Sequence, residues 1–142
     1  MSIEWKIVPE HRVVTFRLSD ESRVFETIDA VREVARDPQF SADFSRLYIV
    51  ADDFRPATTL DTTLGPGVDH LSQQIIETFA HPAKVAFVFA DGNWLAKMRY
   101  DETVARCNQM YSEKGLSPMD AAQFREVSDA LAWLGLPAEF LL

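Results

Sequence analysis

LYIVADDF, residues 47–54, is the stretch on which the reading of the chain turns. Leu47, Tyr48, Ile49 and Val50 follow one another with no polar position between them. A strand with one wet face alternates, so an unbroken apolar run predicts a strand covered on both faces, the situation of a parallel sheet between helices. Asp52 and Asp53 then stand together where the strand ends. They could be metal ligands, half of a phosphoryl-transfer site, or solvated residues that open a loop.

Working outward, KVAFVFA (84–90) is the strongest strand downstream. Upstream, residues 3–8 and 12–18 alternate, with Ile3, Trp5 and Ile7 on one side of the first run and Val14, Phe16 and Leu18 on one side of the second. PEHR between them makes a tight connection, and the pair predicts an antiparallel hairpin. Ser19 or Asp20 is placed to cap a helix carrying Val24, Ile28, Val31 and Ala35, which Asp37-Pro38 ends. Val68, Leu71, Ile75 and Phe79 form a second helical stripe, stopped by His81-Pro82. Trp94, Met98, Ala105 and Tyr111 mark a third helix with Gly115 at its end. AAQF (121–124) reads as a weak strand, and SDALAWLGL (128–136) as a last helix closed by Gly135 and Pro137.

The order β-β-α-β-α-β-α-β-α predicts one α/β domain over residues 1–142. It has a mixed, mostly parallel sheet, an N-terminal hairpin and four helices. Its expected core is Trp5, Phe16, Ile28, Val31, Leu47, Ile49, Leu71, Ile75, Val85, Phe87, Phe89, Met98, Phe124, Leu131 and Leu134. The one irregular segment, ADDFRPATTLDTTLGPG (51–67), is longer than an ordinary βα loop and leaves the carboxyl end of a strand, where open α/β sheets bind ligands.

Composition narrows the partners. The chain has 142 residues, enough for a real core, and 47% are apolar, which excludes a disordered chain. A formal net charge of −8 disfavours nucleic acid and anionic membrane surfaces, both of which need clustered Lys and Arg. Neither half supplies a basic patch: residues 1–71 hold 8 Lys/Arg against 13 Asp/Glu, and residues 72–142 hold 6 against 9. Cys107 is the only cysteine, so no internal disulfide and no cysteine zinc cluster can form. MSIEWKIVPE has no long apolar h-region and no apolar run approaches membrane-spanning length, so a cytoplasmic protein is expected.

Four stretches then carry a resemblance. IEWKIVPEHRVVTFRLS with ARDPQFSADFSRLYIV, and DGNWLAKMRYDETVARC followed by AAQFREVSDALAWLGL, resemble small bacterial proteins with an STAS-like fold, the fold of anti-sigma-factor antagonists. The likeness spans nearly the whole chain. In STAS domains an Asp-Ser pair opens the helix after the core strand, and phosphorylation of that serine switches partner binding. LDTTLGPGV (60–68) is similar and places Asp61-Thr62 at the pair. Here threonine replaces serine, the loop is longer, and Pro66 interrupts the run of small residues.

Several residue groups compete for a role. Asp52, Asp53 and Asp91 could line one rim of the sheet, though neighbours on an extended chain point to opposite sides. Thr58, Thr59, Thr62 and Thr63 can cap a helix or, at Thr62, take a phosphate beside its free N–H groups. His11, His70 and His81 stand at spacings that propose no Ser/His/Asp or Cys/His arrangement. Cys107 on an amphipathic helix reads as a small hydrophobe. Gly65-Pro66-Gly67 lacks the lysine and glycine spacing of a phosphate loop.

Two functions of different class are consistent with these residues. One is a non-catalytic regulatory or binding module of STAS type, needing no cofactor. It would meet a protein partner or small ligand through Asp52, Asp53, Asp61, Thr62, Asp91, Asn93 and Trp94. The other is a metal-assisted phosphotransfer or hydrolytic enzyme on the acidic rim. The apolar end PAEFLL adds the expectation of a homodimer.

Overall fold

The computed structural model describes residues 3–22, 24–56, 66–82 and 84–140. Strands β1 (Ile3–Val8) and β2 (Val13–Leu18) form the hairpin, joined through a 3₁₀ turn at Pro9–His11 and a left-handed Arg12 at φ 56°. After β3 (Glu21–Ser22) come α1 (Val24–Arg36), β4 (Ser45–Val50), β5 (Arg55–Pro56) and α2 (Pro66–Thr78). The chain continues with β6 (Lys84–Val88), α3 (Trp94–Glu113), β7 (Asp120–Phe124) and α4 (Val127–Leu134).

Five strands make one sheet in the order β1-β2-β4-β6-β7. Only the β1–β2 pair is antiparallel, and β2, β4, β6 and β7 run parallel. The α/β architecture, mixed sheet, hairpin and four helices are as the alternation of apolar runs predicts. A pair of two-residue strands, β3 against β5, lies outside that pattern.

The apolar run of β4 is buried on two sides, which is why it lacks alternation. Tyr48 faces α1, α2 and α3 in the larger core, with Val14, Phe16, Val31, Leu71, Ile75 and Cys107. Leu47 faces α4 in the smaller core, with Val13, Ala86, Ala130 and Leu131. Parallel register sets Phe16, Tyr48 and Phe87 directly opposite one another across three strands. Their rings stack at 4.7 and 4.6 Å, and Tyr100 of α3 closes the row edge-on at 4.3 Å from Phe87.

The expected core needs one correction of degree. Trp5, Ile49, Phe87, Met98, Phe124 and Leu134 are half-buried, not enclosed. Trp5 keeps its indole N–H at the margin, donating to Glu33 at 3.0 Å. Phase also differs on α3, whose buried face is Ala96, Arg99, Tyr100, Thr103, Cys107, Met110 and Tyr111. Of the residues expected to mark its apolar stripe, Trp94 and Ala105 point to solvent.

Candidate functional site

At the carboxyl end of the parallel strands the chain makes two turns side by side. The Ala51 N–H donates to the Leu18 carbonyl at 2.8 Å and extends the β2–β4 ladder by one residue. The Phe54 N–H then donates to the Ala51 carbonyl at 3.0 Å, closing a turn with Asp52 and Asp53 at its centre. Both aspartates are exposed, while the Phe54 ring anchors the turn in the core. Asp53 Oδ1 accepts the Asp20 N–H at 3.2 Å, so this carboxylate ties the exit of β2 to the exit of β4. Asp20, expected as a candidate helix cap, instead sits at φ 61° ahead of β3, four residues before α1 begins.

The second turn leaves β6. Ala90 accepts the Asn93 N–H at 3.0 Å, and the Asn93 Oδ1 accepts the Ala96 N–H at 3.1 Å, capping α3. The Nδ2 of the same amide donates to the Phe54 carbonyl at 3.2 Å. Asn93 therefore braces one turn against the other. Asp91 pairs with Arg125 at 3.1 Å, with both side chains more than two-thirds exposed, an ion pair worth about 0–1 kcal/mol. Trp94 opens α3 with 65% of its surface exposed.

Of the residues expected here, Asp52, Asp53, Asp91, Asn93 and Trp94 do share this rim. Asp61 and Thr62, with Thr58, Thr59 and Thr63, lie outside the described residues. Among the described residues no three His, Cys, Asp or Glu side chains stand close enough to hold a metal ion. The rim offers hydrogen-bond acceptors, negative charge and an exposed indole.

Below the rim, between the sheet and three helices, lies a cavity of about 50 Å³. Leu18, Tyr48 and Phe87 form its floor, Thr27 comes from α1, Leu71 and Ile75 from α2, and Arg99, Tyr100 and Thr103 from α3. A second buried guanidinium, Arg46, lies at 4.2 Å from the centre of the Phe79 ring. Burial pushes the phenols of Tyr48, Tyr100 and Tyr111 and the Cys107 thiol above their ordinary pKa values. Arg46 pulls Tyr48, Tyr111 and Cys107 part of the way back. The Cys107 Sγ points at the Ser72 carbonyl, 4.0 Å away, as an enclosed neutral thiol does.

Arg46 and Arg99 are the residues that the sequence reading passed over. A signal for each exists. Arg46 shares a strand face with Tyr48, where a charge is out of place, and Arg99 falls in phase with Thr103, Cys107 and Met110. The histidines take surface roles: His11 packs edge-on against Phe140, His70 lies 3.2 Å from Arg32, and His81 sits 2.7 Å from the Ser117 carbonyl. Comparisons with known proteins found no matching family model, no matching curated protein and no matching solved structure.

Proposed function

We propose that this chain is a non-catalytic binding module of the STAS-like kind, working in the cytoplasm, which meets a protein partner at the carboxyl-end rim. One observation carries the reading: Trp94, exposed over 65% of its surface, is held in place by the Asn93 cap beside the carboxylates of Asp52, Asp53 and Asp91. A large ring that the fold leaves outside, next to a braced turn on a rim that also carries carboxylates, has the character of an interface anchor. The net charge of −8 and the acidic rim favour a partner that presents basic and apolar groups together. Among the described residues, no helix is long and apolar enough to cross a membrane.

The same reading places regulation at Thr62, where a phosphate adds nearly two negative charges beside Asp61. It also includes a homodimer. Phe140 packs against the chain's own His11, and residues 141–142 lie outside the described residues. Light scattering across a concentration series is expected to give twice the mass of 16.1 kDa, and a constant monomer ends that part of the proposal.

The test of the module is capture from the native host with wild type, Trp94→Ala, Thr62→Ala and Thr62→Glu, followed by titration with the purified partner. Trp94→Ala and Thr62→Glu are expected to weaken binding about tenfold or more, as loss of an anchor does. A purified partner bound equally by all four proteins removes both rim and switch. Metal-dependent turnover that Asp52→Asn or Asp91→Asn abolishes favours the enzyme instead.

A further inference from the structure

β1 is an edge of the sheet: among the described residues it pairs with β2 and with no other strand. In an antiparallel pair alternate residues turn their N–H and C=O groups toward the partner, so about half of Ile3–Val8 turn theirs outward. A bare edge of this kind is a template for one more strand. What distinguishes this edge is a groove on either face of the sheet beside it.

On the helix-covered face a groove of about 570 Å³ lies between β1 and α1. Ile3, Trp5 and Ala30 give it an apolar floor, and the exposed Asp29 and Glu33, one turn apart on α1, form its wall. No Lys or Arg is among the described residues that line it. Glu4 is set against Arg17 across the ladder and Glu26 has a partner of its own, so the groove's charge is counted on Asp29 and Glu33. Trp5, whose indole N–H donates to Glu33, also borders a second hollow of about 300 Å³. That hollow lies on the opposite face, lined by Val8 and Phe140 together with Lys6 and Arg17.

An added strand alternates its side chains in step with β1. Those beside Ile3 and Trp5 enter the α1 groove, and those beside Glu4 and Lys6 enter the second. The first accepts a Lys or Arg whose stem lies on the apolar floor while its head meets the carboxylates. The second presents two cations, repels a further one, and takes an apolar side chain against Val8 and Phe140. We propose that the β1 edge binds an extended segment of a partner protein in which basic and apolar residues alternate, held as an added strand with its basic side chains against Asp29 and Glu33. Strand addition of this kind draws affinity from main-chain bonds and specificity from the alternate side chains. The net charge of −8 favours the approach of such a segment. A second copy of this chain fits poorly, because an antiparallel β1 pair would set the two α1 walls and their carboxylates against each other. This site does not rest on the reading of the rim.

The experiment is an amide-resolved NMR titration of the full chain with end-blocked peptides as long as β1. One alternates Arg and Val, one holds the same residues in two blocks, one alternates Glu and Val, and one repeats the first with its backbone nitrogens methylated. The alternating Arg–Val peptide is expected to shift Ile3–Val8 and residues 29–33 saturably. The other three are expected to bind about tenfold more weakly or worse, since each lacks the alternation, the charge or the backbone donors. Asp29→Asn combined with Glu33→Gln, which keeps an acceptor for the Trp5 N–H, is expected to weaken the first peptide about threefold or more. No binding of the first peptide, or equal binding of the block or methylated peptide, overturns the proposal. So do shifts confined to Asp52, Asp53 and Asp91, or an unchanged affinity in the folded double variant. If that variant fails to fold, the four-peptide comparison on wild type decides alone.

Discussion

Asn93 uses both ends of one amide on the chain itself, and its position can be tested by substitution. Asn93→Ala removes the α3 cap and the brace to Phe54, and a loss of about 0.5–2 kcal/mol is expected by denaturant unfolding. Asn93→Asp keeps an acceptor for the Ala96 N–H and is expected to retain most of that stability, losing only the donation to Phe54. Trp94→Ala next to it is expected to change stability by no more than about 0.5 kcal/mol, because the ring is 65% exposed. The two aspartates that close the apolar strand were legible as turn residues from their type and place. Their division of labour was not: whether Asp53 or Asp52 reaches back to Asp20 depends on the geometry of the turn, and that partner lies 33 residues away in sequence.

Among the elements, α3 shows what apolar spacing can and cannot reveal. Trp94 and Met98 are large, so they dominate a reading by hydropathy. The buried face runs instead through Ala96, Arg99, Tyr100, Thr103 and Cys107, where small and polar residues dilute the signal. The parallel strands were legible because burial on two faces leaves no room for polar positions. The β3–β5 ribbon was not, since two residues carry no period and their pairing joins distant segments. The stacked row across β2, β4 and β6 sets the mutational cost at this scale. Phe16→Ala, at a fully enclosed ring, is expected to lose about 3–5 kcal/mol in chemical denaturation. Gly135 ends α4 at φ 76° with nothing within 4 Å of an added Cβ. Gly135→Ala is therefore expected to lose about 1–2 kcal/mol through backbone conformation alone, with no cavity or clash to relieve.

For the whole molecule, buried acids set the alkaline limit. Tyr48, Tyr100 and Tyr111 are raised from 10.0 and Cys107 from 9.0, in each case chiefly by burial. Each group stays protonated in the folded chain at a pH where the unfolded chain has released its proton. The unfolded state then binds fewer protons, and stability falls as pH rises. The melting temperature is expected to hold steady through neutral pH and to decline above about pH 9, with tyrosinate absorbance from these three rings rising only as the chain unfolds. An early tyrosinate signal equal to all three tyrosines, with no loss of structure, contradicts the burial of the rings.

The 20 residues of α3 make one stiff rod about 30 Å long, and its first three turns run from the rim into the core. Trp94 stands at its tip, and Arg99 and Thr103 follow on the inner side. A partner gripping the tip leans on the same rod that walls the cavity, so its binding and the stability of the folded chain become one thermodynamic cycle. Whatever free energy the partner adds to stability on binding, unfolding removes from its affinity. Measured separately, those two quantities have to agree, which makes the helix a lever between surface and interior.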